Sequence, residues 1–172
     1  AGDPAFGAKV AEAVGCVVAT PRDPAHVARE VRTMRALIAQ EKGDDDPWDL
    51  KLASGGLTDL DFLAQALVLG HAHRHGSLAG LSTEPTFGAA ARAGLLGDED
   101  AKTLETAHRL FNDVFQWQRL TIEGDFKAAE VPPAILQRLA AVPGLPNAKA
   151  LLDHLGETRR AVRTIFDRVL AS

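Results

Sequence analysis

Apolar residues recur along this chain at intervals of three and four, and no stretch alternates at intervals of two long enough to name a sheet. Phe6, Val10, Val14 and Val17 mark a first helix over 4–19, with Asp3 as N-cap and Pro4 at the first helical position. Thr20-Pro21 breaks it. Asp23 and Pro24 open a second helix to about residue 42, closed by Gly43, with Val27, Val31, Met34 and Ile38 as its apolar stripe. Arg29, Arg32 and Arg35 fall off that stripe, on what reads as a solvated face. Residues 49–52 read as a brief extended segment.

A third helix is predicted over 58–75. Leu60, Leu63, Ala64, Leu67 and His71 line one side, and Phe62, Ala66 and Leu69 another, so it should be surrounded by other helices. A short helix follows over 83–94. A long one runs from an Asp98 cap to about Glu123, where Gly124-Asp125 ends it. Its wide apolar face takes in Leu104, Ala107, Leu110, Phe111, Val114, Phe115, Trp117 and Leu120. Pro132-Pro133 begins another helix ending near Val142. Pro143-Gly144-Leu145-Pro146 is a turn, and Asn147 caps a last helix running toward Ala171. The expectation is an all-α chain of six or seven helices in an irregular bundle around the third. It forms one domain over 1–172, with a first part over 24–75 and a C-terminal helical part over 83–172.

The start of the third helix is the most specified point. Thr58 is a good N-cap and Asp61, three residues on, can reach back to the cap's amide. Leu57 and Phe62 are spaced for a hydrophobic staple. Asp59 and Asp61 place negative charge at the positive end of the helix dipole. Gly55 and Gly56 permit positive φ and close approach to a neighbour.

Composition narrows the function more than the fold. The 172 residues carry a net charge of −4 and no basic block, which gives no support for nucleic-acid binding. No apolar run approaches the ~20 residues that span a bilayer, and the first residues do not form a signal peptide. The single Cys16 leaves no internal disulfide and fits a reducing, cytoplasmic setting. The chain starts without Met, as a fragment or a processed protein would.

Chemistry is sparse. Gly55-Gly56 followed by Asp59-x-Asp61 resembles a nucleotidyltransferase active site only superficially. Those enzymes hold metal ions on an acidic pair carried by a strand, whereas residues i and i+2 diverge by about 200° on a helix. Asp44-Asp45-Asp46 lacks the alternating ligands and distal Glu of a calcium loop. His71 and His75 are i, i+4 but lack the H-E-x-x-H pattern. Cys16 has no neighbouring His. No catalytic residue and no metal ligand is predicted.

One stretch carries a family resemblance. Lys51, Gly55-Gly56-Leu57-Thr58-Asp59-Leu60-Asp61-Phe62 and Gln65 resemble the K-x-x-x-G-G-[IL]-x-D-[IL]-E-F-x-x-Q signature of glutamine synthetase adenylyltransferases. Met34-Arg35 and Trp48-Asp49-Leu50-Lys51 resemble that family's approach to the signature, and Thr58-Asp59 is closer to its C-terminal, adenylylating half. Asp61 stands where Glu is usual.

The resemblance implies the helical domain that follows the adenylyltransferase domain. It is not itself catalytic and supports or docks the nucleotidyltransferase domain or its protein substrate. The parent enzyme would transfer AMP from ATP, with Mg²⁺, to a tyrosine of glutamine synthetase, and remove it under control of glutamine and the PII protein. It implies a place near the interdomain junction for Lys51, Gly55, Gly56 and Arg35. Alternatives are a regulatory module binding glutamine or PII, the helical region of a PII uridylyltransferase-like protein, and a free-standing interaction module. The Asp61-Phe62…Gln65 continuation argues against the uridylyltransferase.

Overall fold

A computed structural model describes residues 2–122 and 126–171 of the chain. Seven α-helices lie among them: α1 (Pro4–Val18), α2 (Pro24–Lys42), α3 (Leu57–His71), α4 (Thr83–Arg92), α5 (Asp98–Thr121), α6 (Pro133–Ala141) and α7 (Ala148–Leu170). Short 3-10 turns occupy Gly76–Leu78 and Ala128–Glu130. The fold is all-α, as the periodicity requires.

Helix starts were legible where a side chain makes the cap. The carboxylates of Asp3 and Asp23 accept hydrogen bonds from the amides of Ala5 and Ala25, and Asn147 accepts from Ala150. Asp98 is instead the first residue of α5, and Gly97 is its cap. The predicted end of α5 at Glu123-Gly124-Asp125 lies outside the described residues; the described helix ends at Thr121.

α3 passes through the middle of the bundle, packed by α2, α4, α5 and α7. Leu60 and Leu63 are fully buried, and Leu104, Phe111 and Val114 from α5 join Leu155, Val162 and Phe166 from α7 in the same core. α3 ends at His71 and not His75, because the chain turns at Ala72–Arg74.

Two expectations about helix faces and one about an extended segment need correcting. Met34 is 52% exposed, while Arg35, assigned to the solvated face, is 2% exposed. An ion pair inside the bundle draws the guanidinium in and rolls Met34 out. Trp117 and Leu120 on the last turns of α5 are 38% and 83% exposed, so the apolar core face of that helix stops near Phe115 and its last buried residue is the polar Gln118. Residues 49–52 form a turn and not an extended segment, because the Asp49 carboxylate accepts from the amides of Lys51 and Leu52.

Candidate functional site

The loop between α2 and α3 folds back on the first turn of α3, and this fixes the backbone of the signature from Lys51 to Thr58; Phe62 and Gln65 follow on α3, half-buried and exposed. The amides of Leu57 and Thr58, free donors at a helix start, are taken by the carbonyls of Leu50 (2.9 Å) and Lys51 (3.0 Å). Gly56 is therefore the N-cap and its carbonyl accepts the first intrahelical bond, from Leu60. This corrects the expected Thr58 cap: backbone carbonyls do the work assigned to its hydroxyl. The staple falls with it, since Leu57 is already the first helical residue. Asp61 does not reach back to a cap; its carboxylate accepts from the Thr83 hydroxyl at 2.6 Å, tying α3 to α4.

Asp59 lies at the centre. It is wholly buried, and its carboxylate accepts from Arg35 Nε, from the Gly55 amide (2.6 Å) and from Arg163 on α7 (3.4 Å). Arg35 also donates to the Leu52 carbonyl at 2.9 Å and faces Asp44 at 3.9 Å. One carboxylate and two arginines thus join α2, the loop, α3 and α7. A buried ion pair of this kind holds a unique geometry when its remaining donors and acceptors are satisfied, as they are here. Arg35 has almost no surface to offer a second domain.

The twin glycines serve the same clamp. Gly55 has φ +78°, and a Cβ there would lie 2.7 Å from the Arg159 carbonyl carbon of α7 and closer still to its oxygen. A Cβ on Gly56 would meet the carbonyl oxygens of Leu50 and Ala53 at 2.7 and 2.8 Å. The close approach that the glycines permit is therefore between the loop and its own helices.

Lys51 is the exception. Its amide is held by Asp49 and its carbonyl by Thr58, yet its side chain is exposed. It lies between two shallow clefts of about 380 Å³ each that share Lys51, Phe115 and Arg119. Trp48, Phe126 and Gln118 line one, and Asp61, His108 and Asn112 the other. The buried Gln118, which donates to the Trp48 carbonyl at 3.3 Å, carried no sequence signal, because its partner is 70 residues away.

The larger cleft, about 690 Å³ among α2, α3, α5 and α7, is lined by Asp23, His71, Asp100 and Arg168. Arg168 donates to Asp100 and Asp23 caps α2, so these polar groups are already committed. Burial, with His75, His73 and Arg74 adding repulsion, lowers the His71 pKa below 6.5. The fold thus favours neutral His71. Its contribution is fully present above pH 6.5 and is lost as pH falls from there through the lower folded-state value, because the unfolded chain gains its proton first. Urea unfolding at pH 7.5 and 5.5 is expected to show a smaller pH-dependent loss of stability in His71→Gln than in the unsubstituted chain.

Asp59 and Asp61 do not form an acidic pair of the kind that holds Mg²⁺ and ATP. The Asp59 carboxylate is sealed inside the clamp and that of Asp61 is turned to Thr83, so the two do not converge on one ion. Among the described residues no group of three or more His, Cys, Asp or Glu is placed to hold a metal. No described helix is long and apolar enough to cross a membrane.

A profile of the family described as GlnD PII-uridylyltransferase matches residues 32–170. The chain is 42% identical over 170 residues to a bifunctional glutamine synthetase adenylyltransferase/adenylyl-removing enzyme of Xanthobacter autotrophicus, covering 99% of this chain and 17% of that protein. Proteins of the same description from Rhodopseudomonas palustris and Bradyrhizobium diazoefficiens are 39% and 41% identical over 97% and 96% of the chain. The chain spans about one sixth (17%) of the length of each of these relatives.

Proposed function

We propose that this chain, which belongs to the GlnD PII-uridylyltransferase family, is the helical domain of a glutamine synthetase adenylyltransferase and docks that enzyme's nucleotidyltransferase domain through Lys51. The observation that carries the reading is the contrast within the signature. Arg35, Asp59, Gly55 and Gly56 are consumed by internal packing, while Lys51 stands exposed on a backbone fixed at both its amide and its carbonyl. A rigid base with a free ammonium suits a contact to phosphate or to a carboxylate of a neighbouring domain. Among the described residues Lys51 makes no ion pair within the chain.

In this reading the ATP and Mg²⁺ are held by the nucleotidyltransferase domain, the acceptor is glutamine synthetase, and the setting is cytoplasmic. The domain itself transfers nothing. The Asp61-Phe62…Gln65 continuation, and relatives described as adenylyltransferases, favour this parent over a uridylyltransferase. The commitment of Asp23, Asp100 and Arg168 in the cleft of about 690 Å³ favours docking over a glutamine- or PII-sensing module.

Lys51→Ala in a full-length protein carrying this domain tests it by the rate of adenylyl transfer to glutamine synthetase. A loss of about tenfold or more, near 1.4 kcal/mol in the barrier, is expected. Full transfer by a correctly folded variant would sink the reading.

A further inference from the structure

Helix α1 is folded but uncovered. None of its 15 residues is buried, and only Val18 at its end packs partly on the core. Phe6, Val10, Val14 and Val17 are 66%, 46%, 55% and 59% exposed. On an α-helix they fall within an arc of about 80°. The helix carries just two charges, Glu12 on the opposite side and Lys9 on the flank. Met34 and Leu37 of α2 are also about half exposed, at 52% and 49%, so the first two helices hold most of the large exposed apolar side chains described. Arg22 fixes the exit of α1 by donating to the Val17 carbonyl at 2.9 Å and the Thr20 carbonyl at 3.1 Å. Alone, a helix of this length with Gly7 and Gly15 inside it is marginal in water, and tertiary packing of its apolar stripe is what normally holds such a helix.

We infer that α1 packs its Phe6–Val10–Val14–Val17 stripe against an apolar surface of a second folded domain in the same polypeptide. The inference rests on the multidomain parent proposed above. Two comparisons bear on the occupant. The family profile starts at residue 32, midway along α2, whereas the Xanthobacter relative matches 99% of the chain and so runs through α1 as well. α1 is thus shared with a longer protein, 17% of whose length this chain covers, which leaves ample chain for a second domain. A tethered domain also needs less contact area than a free partner, because the linkage supplies a high effective concentration. A stripe of four side chains falls well short of the ~800 Å² per partner of a standard interface between separate molecules. A membrane surface fits poorly, since Lys9 is the sole basic residue of α1.

Hydrogen–deuterium exchange on the 172-residue chain and on a full-length protein carrying it tests the inference. The α1 amides are expected to exchange about tenfold or more slowly in the full-length protein. Val10→Asp/Val14→Asp should abolish that slowing while leaving protection of α3 and α7 unchanged. Equal exchange of α1 in the two proteins overturns the inference. So does concentration-dependent protection in the 172-residue chain, which would make the occupant a second copy. So does protection that arises only with anionic vesicles. The adenylyl-transfer readout of Lys51→Ala moves independently: lost transfer with an unprotected α1 leaves the docking function standing and removes this interface alone.

Discussion

Gly55→Ala is expected to destabilise the chain by about 3–4 kcal/mol, the sum of forcing a side chain into a positive-φ position and overpacking against a fixed backbone. The added Cβ would meet the Arg159 carbonyl, and neither partner can yield easily. The Gly55 amide is bonded to Asp59, and Arg159 lies in the middle of α7. For a domain of this size the loss corresponds to a fall in melting temperature of roughly 10 °C. Gly80→Ala separates the two contributions. Gly80 has nearly the same φ (+76°) but nothing within 4 Å of an added Cβ, so its variant should lose only about 1–2 kcal/mol. Equal losses at the two positions would show that conformation, and not the approach to α7, demands the glycine.

Asp59→Asn is the second large effect, about 3–5 kcal/mol of lost stability. The substitution keeps the shape but removes the charge that faces Arg35, which is 2% exposed, and Arg163. Asp44, 3.9 Å from Arg35 and half open to water, is a weak substitute. Removing one member of a buried pair leaves the other as an uncompensated charge. Replacing both partners with apolar groups of similar volume is far milder. Arg35→Met/Asp59→Leu should therefore be less destabilised than the two single changes added together, with a coupling energy above about 1 kcal/mol in the double-mutant cycle. Additive losses would mean that the two side chains stabilise the fold independently.

Both effects sit in the stretch that the sequence marked most strongly, yet their mechanism was only partly legible there. Gly55-Gly56 announced close approaches, but only that of Gly56 is local; the partner of Gly55, Arg159 of α7, is more than 100 residues away, and local spacing carries no trace of it. Asp59 was read as a charge at the end of the helix dipole, which its position allows. That two arginines converge on it is a tertiary fact. Arg35 misled for the same reason: helical phase placed it outside the stripe, and an ion pair overrode the phase. The Thr58 cap failed because side-chain capping rules assume free amides, and the returning loop supplies backbone acceptors instead. The starts of α1, α2 and α7 could be read correctly because each cap is made by the residue next to it. The exposure of the α1 stripe was invisible to periodicity, which shows that a helix has an apolar face and not what covers it.

Lys51 is the residue on which structure and function are expected to part company. The thermal melt of Lys51→Ala in the 172-residue chain, run beside Asp59→Asn, separates the two roles in a single series. A Lys51→Ala transition within about 1 °C of the unsubstituted chain, as befits loss of an exposed side chain, is the expected result. It would leave Lys51 as the part of the signature held ready for a neighbour. A loss approaching that of Asp59→Asn would make Lys51 one more piece of the loop's architecture and remove the basis for a docking role.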